Sequence, residues 1–192
     1  MYHQKVQLSP NLGLASIAAV LERDGVRVGV LDAAAEDLSY TDILERVRAF
    51  KPRVVGAGGQ TPVAPRSMAI FRRIKQEISR DITTIAGGPH FSFTDHESLQ
   101  ECRELDIVVR GEGEATISHL CKALETGESL NNVQGITFRD HKGSIVRNAD
   151  REPVADIDSL PFPAWHLFPL DKYHWVGNRL LDISSSRGCP FK

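Results

Sequence analysis

The sequence predicts an α/β fold built on a doubly wound parallel sheet, and three observations predict it. Ile82 to Ala86 is a short apolar run that stops in Gly87-Gly88-Pro89-His90. Val54 to Ala57, stopping in Gly58-Gly59-Gln60-Thr61-Pro62, and Ile107 to Val109, stopping in Arg110-Gly111-Glu112-Gly113-Glu114, repeat that plan. A helical pattern follows each of them. β-Branched runs of this kind are strands buried on both faces, and their carboxyl ends share the edge at which such sheets bind ligands. Glycine has no Cβ, so three glycine-opened loops on one edge point to a large cofactor lying close to backbone.

Composition narrows the classes. A chain of 192 residues suits one domain and part of another, because domains cluster at roughly 100 to 150 residues. The net charge is -2 with acids and bases interspersed, which lacks the basic footprint of a nucleic-acid binder. No apolar run reaches the roughly 18 residues of a membrane span, and no charged-then-apolar leader opens the chain, so the expected location is the cytoplasm. Cys102, Cys121 and Cys189 are odd in number and far apart, which does not suit a disulfide framework.

In chain order, Val6-Gln7-Leu8 reads at most as the stub of a strand, and the usual strong opening strand of an α/β domain is missing. Pro10-Asn11 starts a helix in which Leu14, Ile17, Ala18 and Leu21 form one apolar stripe, and Gly25 ends it. Val26 to Leu31 reads as a strand closed by Asp32. An acid there holds a ribose in dinucleotide folds, but the glycine fingerprint that should precede it is absent, which favours a loop acid or helix cap. Asp42 to Phe50 is a short helix with Ile43, Leu44 and Val47 inward and Pro52 past its end. After the strand Arg53 to Ala57, the loop Gly58 to Pro65 holds two glycines and two prolines, which fix backbone shape while leaving amides exposed.

A long helix then runs from Arg66 to Ser79 on the stripe Ile70, Phe71, Ile74 and Ile78, with Arg72, Arg73 and Lys75 facing out. Past the central strand, His90 either meets a metal or cofactor or is a hydrogen-bonded loop residue. Asp95 to Glu104 reads as a short helix with Thr94 as cap. The strand Ile107 to Val109 feeds the glycine-glutamate loop, and the helix Ala115 to Glu125 places Ile117, Leu120, Cys121 and Leu124 on one face. Glu112 and Glu114 either complement the positive end of that helix, an effect of roughly 0.3 to 1 kcal/mol, or meet a cofactor amide or hydroxyl.

The alternation of strand and helix fades after Gly127. Gly135 to Arg139 and Ser144 to Arg147, joined by Asp140 to Gly143, read as a hairpin. Pro153 to Pro169 carries apolar and aromatic residues between its prolines, the profile of an ordered connector rather than a flexible linker. Leu180 to Ser184 reads as a further strand, and Ser185 to Lys192 follows with Cys189.

Five segments together carry a family resemblance: Pro10-Asn11-Leu12-Gly13-Leu14, Gly87-Gly88-Pro89-His90, Arg110-Gly111-Glu112-Gly113-Glu114, Leu160-Pro161-Phe162-Pro163-Ala164-Trp165, and Ser184 to Lys192. In this order they resemble the amino-terminal half of cobalamin-dependent radical S-adenosylmethionine enzymes, a family whose relatives include the magnesium-protoporphyrin IX monomethyl ester cyclase-like group. The resemblance implies a Rossmann-like, flavodoxin-like cobalamin-binding domain over residues 1–128, a hairpin and connector over 129–179, and the start of a radical barrel over 180–192. In that family the first barrel strand leads into C-x-x-x-C-x-x-C, whose thiolates hold a 4Fe-4S cluster with one iron left open for S-adenosylmethionine. Cys189 matches the first of these cysteines. The chain is therefore expected to be a piece cut inside the motif, binding cofactor without itself assembling the cluster or running radical chemistry.

By the same pattern the corrin would sit over the carboxyl edge, its nucleotide tail passing Gly58-Gly59 and Gly87-Gly88. Gln60, Thr61, Pro62 and Val63 would line the ring, Pro89 and His90 the next loop, and Gly111, Glu112, Gly113, Glu114 and Thr116 the third. The D-x-H-x-x-G motif that supplies a histidine to cobalt in cobalamin mutases and methionine synthase is absent, which implies that cobalt's lower face is not held in that way. The family's usual sheet order would be 2-1-3-4-5.

Three functional readings follow. The first is the cobalamin-binding module of a radical enzyme that methylates, cyclises or rearranges an unactivated carbon, with its own carboxyl-terminal barrel as partner. The second is a degenerate module that covers or docks the substrate without cobalamin. The third is a nucleotide- or phosphate-binding domain that uses Gly111-Glu112-Gly113 as an anion cradle, which the two glutamates oppose.

Overall fold

A computed structural model describes residues 9–175 and 177–188. Val6 to Leu8 and Cys189 lie outside them. The chain forms two compact units, one of Tyr40–Val154 and one that joins the chain before Tyr40 to the chain after Val154.

The second of these begins with helix α1, Leu12–Arg23, whose first turn is closed by the side chain of Asn11 accepting from the Leu14 amide at 2.9 Å. After it, Val28 and Val30 pack inward against Ala18 and Ala19, two positions apart as in a strand. The strand expected over Val26 to Leu31 takes part in no ladder among the described residues. The proline-rich stretch is ordered. Ala164 donates to the Ala15 carbonyl at 2.9 Å, and Phe168 and Tyr173 bury against Ala15 with Leu14, Val30, Trp165 and Leu167 around them.

In the unit Tyr40–Val154 the order is α2 (Tyr40–Phe50), β1 (Val54–Gly58), α3 (Ala64–Glu77), β2 (Thr83–Gly87), α4 (Pro89–Phe93), α5 (Asp95–Glu101), β3 (Ile107–Val109), α6 (Glu114–Thr126), β4 (Ile136–Arg139) and β5 (Ile145–Arg147). The strands lie in the order β1-β2-β3-β4-β5. The first three are parallel, and β4 and β5 add antiparallel pairings, Val109 opposite Ile136 and Phe138 opposite Val146. The hairpin read from the sequence is therefore a continuation of the main sheet, with Ile136, Thr137 and Phe138 buried.

Core packing sets where the loops emerge. Ala86 and Val108 lie on one face against Ala64, Met68 and Phe71 of α3, Phe91 of α4 and Leu99 of α5. Phe71 and Phe91 are fully buried, each contributing roughly 1.5 to 3 kcal/mol by leaving water. A second cluster joins Leu44 of α2 to Ile74 and Ile82. With α3 and α5 fixed in this way, the turns after β1, β2 and β3 emerge at the common carboxyl edge of the parallel strands.

The sequence does not reveal α4. Its apolar residues Phe91 and Phe93 alternate with a period of two, and one helical turn is too short to display a period of 3.6. At the other end of the chain, β6 (His174–Trp175) pairs with β7 (Asn178–Arg179), and the Leu180 amide donates to the Tyr173 carbonyl at 3.1 Å. The strand expected over Leu180 to Ser184 has no ladder among the described residues, and Ile183 is exposed. A strand of a closed barrel takes its hydrogen bonds from a neighbour.

Candidate functional site

Gly58 and Gly87 stand opposite each other at the ends of β1 and β2, and the two backbones touch. A Cβ on Gly58 would lie 2.6 Å from the Gly87 carbonyl oxygen, and the Gly59 amide donates to that same oxygen at 3.2 Å. Gly88 adopts φ 93°, a left-handed region that disfavours other residues, and a Cβ there would lie 3.1 Å from the Gly59 nitrogen. These glycines are required first by one another. The result is a floor of four residues, Gly58, Gly59, Gly87 and Gly88, from which no side chain rises.

Short polar bonds join the three loops. Thr61 Oγ1 and His90 Nδ1 share a hydrogen bond of 3.2 Å, and the Gly111 amide donates to Ser92 Oγ at 3.1 Å. Helix α4 thus ties the loop after β1 to the loop after β3. His90 is the hydrogen-bonded residue that one reading of the sequence anticipated, placed in the first turn of α4 with its ring edge-on to Phe91.

Gln60, Thr61, Pro62, Val63, Pro89 and Gly111 are exposed around this floor, and Phe93 is 87% exposed. The loops over residues 58–63, 87–93 and 111–114 contain no lysine or arginine. A phosphate or nucleotide held mainly by charge finds no cation there, whereas a broad, flat, largely apolar ligand finds bare backbone and exposed amides. The residues present therefore fit a macrocycle better than an anion.

The remaining expected residues divide. Gly113 is the N-cap of α6, and Glu114, in the first turn, is 4% exposed. Glu112 accepts from the Val154 amide at 2.7 Å, so its carboxylate holds the segment that follows β5. Thr116 is fully buried and accepts from Arg151 Nε at 2.9 Å. Gly58 to Val63, Gly87 to His90 and Gly111 thus share one surface, while Glu112 and Thr116 bond to residues 151–154. Asp32 accepts from the amides of Ala34 and Ala35 at 3.2 and 3.0 Å, which makes it a turn acid. Sequence reasoning missed the bridging role of Ser92, the exposure of Phe93, and the partners of Arg110. For Arg110 a signal existed: a cation directly after Ile107-Val108-Val109 is carried inward by a buried strand and has to find carboxylates.

Among the described residues no group of three His, Cys, Asp or Glu side chains could hold a metal, and no helix is long and apolar enough to cross a membrane.

Comparison with known proteins follows the same lines. A family model described as B12 binding domain matches residues 6–121, more than half of the chain. The chain is 34% identical over 182 residues to the uncharacterized methyltransferase PH0819 of Pyrococcus horikoshii, covering 95% of this chain and 39% of that protein. It is 31% identical over 188 residues to the anaerobic magnesium-protoporphyrin IX monomethyl ester cyclase of Rubrivivax gelatinosus, covering 95% of this chain and 34% of that one. The chain thus spans about two fifths or less of the length of these relatives. A solved structure of the cobalamin-dependent S-adenosylmethionine radical enzyme OxsB, with aqua-cobalamin and S-adenosylmethionine bound, shares the fold with TM-score 0.74 at 21% identity, covering 86% of this chain and 23% of that one.

Proposed function

Because this chain belongs to the B12-binding domain family, we propose that it is the cobalamin-binding module of a larger radical S-adenosylmethionine enzyme, with the cofactor lying on the glycine floor. The observation that carries this reading is the contact of Gly58 and Gly59 with Gly87 and Gly88, which leaves backbone alone at the carboxyl edge of β1 and β2. Bound cobalamin supplies a cobalt centre able to carry a methyl group or exchange electrons.

The protein's part is to bind and orient. Gln60, Thr61, Pro62 and Val63 line one side of the floor, Pro89 and His90 the middle, and Gly111 and Gly113 the far side. The Thr61–His90 and Gly111–Ser92 bonds keep the loops at fixed spacing before a ligand arrives, which lowers the ordering cost of binding. Pro62, Val63, Pro89 and Phe93 present apolar surface that excludes water from a bound ring. Methyl transfer and cyclisation are the reactions proposed for the whole protein, in keeping with the names of its relatives. Cys189 is proposed as the first of three thiolates for a 4Fe-4S cluster in that protein, with S-adenosylmethionine at the open iron.

The test is retention of hydroxocobalamin by the chain through anaerobic gel filtration, beside the exposed-loop variant Gln60→Trp, which places bulk over the floor. Stoichiometric retention by the unmodified chain and its loss in the variant, with unchanged circular dichroism, is expected. No retention by the unmodified chain overturns the reading.

A further inference from the structure

A network of charged side chains lies next to the third loop. Arg110 directly precedes Gly111, and its side chain is 4% exposed. It donates through Nε and Nη2 to Asp150 Oδ1 at 3.1 and 2.7 Å, through Nη2 to the Asn148 carbonyl at 2.7 Å, and through Nη1 to the Thr137 hydroxyl at 2.5 Å. Thr137 donates in turn to Asp95, whose carboxylate lies 3.7 Å from Arg110 and accepts from Arg147 at 3.1 Å. A buried guanidinium needs this many acceptors.

The two carboxylates are not equivalent. Asp95 is buried in the network, but Asp150 lies past the end of β5 and its side chain is 69% exposed. Its segment runs beside the loop. Gly135 donates to the Ala149 carbonyl at 2.8 Å, Arg151 reaches Thr116, and the Val154 amide reaches Glu112. The loop is held at Arg110 by Asp150 and at Glu112 by Val154, with a glycine beside each anchor.

We propose that Arg110 and Asp150 form a positioning pair, whose bond holds the loop 111–113 in the shape that receives the cofactor. A carboxylate outside the loop thereby sets how tightly the cofactor binds. The ligand in this inference rests on the cobalamin reading above. Glycine has the most conformational freedom to lose on ordering, and a loop ordered beforehand spares the ligand that cost. The hydrogen bond from Arg110, and then its charge, hold the Asp150 carboxyl below the ordinary carboxylate range. The pair is therefore ionised at neutral pH.

The test compares the chain with Asp150→Asn and Asp150→Glu, by hydrogen exchange without ligand and by titration with hydroxocobalamin. Asp150→Asn is expected to exchange faster at residues 111–113 and to bind about 5- to 30-fold more weakly, the range set by ordering one residue. Asp150→Glu is expected to restore both. Added sodium chloride should weaken binding by the unmodified chain towards that of Asp150→Asn while leaving the variant unchanged, because salt screens an ion pair with an exposed partner. A merely structural role would show no such convergence. Equal exchange and affinity in Asp150→Asn overturn the proposal, as does failure of Asp150→Glu to restore them. If the unmodified chain binds no hydroxocobalamin, the cobalamin reading fails instead, and exchange at 111–113 still decides whether the pair holds the loop.

Discussion

The hydroxyl of Tyr173 donates to Asp32 Oδ2 at 2.8 Å, joining residues 141 positions apart. Asp32 also caps the turn at Ala34 and Ala35, so one carboxylate fixes both the stretch after α1 and the residues that follow the proline-rich segment. Tyr173→Phe keeps the ring and removes the donor. It is expected to destabilise the unit by about 1.5 to 3 kcal/mol, the usual worth of a hydrogen bond to a charged acceptor, measured by urea unfolding.

The same pair predicts an alkaline limit. Burial pushes the Tyr173 phenol up, and the Asp32 hydrogen bond and charge push it further. A folded pKa above the unfolded one keeps its stabilisation whole below the unfolded tyrosine value of about 10 and loses it as pH rises beyond that. Urea midpoints between pH 8 and pH 11 should fall for the unmodified chain, and that component of the fall should be missing from Tyr173→Phe.

Asp95 predicts the acid limit. Burial raises its pKa, but the Thr137 hydroxyl, the His96 amide and the charges of Arg110 and Arg147 outweigh burial and leave it lowered. Its stabilisation is therefore whole above the unfolded carboxylate value of about 4 and is lost as pH falls through that value towards the folded one. Thr137→Val removes the donor to Asp95 and the acceptor of Arg110, and should cost about 2 to 3 kcal/mol at neutral pH. Asp95→Asn should unfold at neutral pH with a lower midpoint, and its deficit should shrink as the pH is taken below 4.

Two glycines on β1 separate packing from propensity. A Cβ on Gly56 would meet the nearest atom at 3.9 Å, whereas one on Gly58 would meet the Gly87 oxygen at 2.6 Å. Gly56→Ala should change stability by no more than about 0.5 kcal/mol. Gly58→Ala has to push β1 from β2, and should cost about 1 to 3 kcal/mol. Equal effects in thermal unfolding would remove the close approach from the account.

Helix α4 can be checked by a similar contrast. Phe91 is fully buried and Phe93 is 87% exposed, two positions along the same turn. Phe91→Ala is expected to cost about 3 to 5 kcal/mol, and Phe93→Ala about 0.5 kcal/mol or less. An extended strand here would place both phenylalanines on one face and give them similar costs.

What could be read from the sequence depended on range. The stripe Ile70, Phe71, Ile74 and Ile78 gave α3 within about a turn, because helical periodicity is a local signal. The β-branched runs gave β1, β2 and β3, and the turn residues gave the hairpin. The hairpin's continuation of the main sheet was not legible, since nothing local sets Val109 beside Ile136. The site shows the same division. The glycines mark its floor, but that Gly58 and Gly88 are needed by Gly87 and Gly59 depends on strand register. The role of Arg110 requires Asp95, Thr137, Asn148 and Asp150, which meet only in three dimensions. Glu112 and Thr116 share a motif with Gly111 and yet bond to residues 151–154, Glu112 from the loop before α6 and Thr116 from the buried side of its first turn.

The most direct test of the central claim is hydrogen exchange of the chain with and without saturating hydroxocobalamin, read at peptide resolution. The account predicts protection concentrated in residues 58–63, 87–93 and 110–113, the three loops at the carboxyl edge of β1, β2 and β3. Protection elsewhere with these loops unchanged would contradict it.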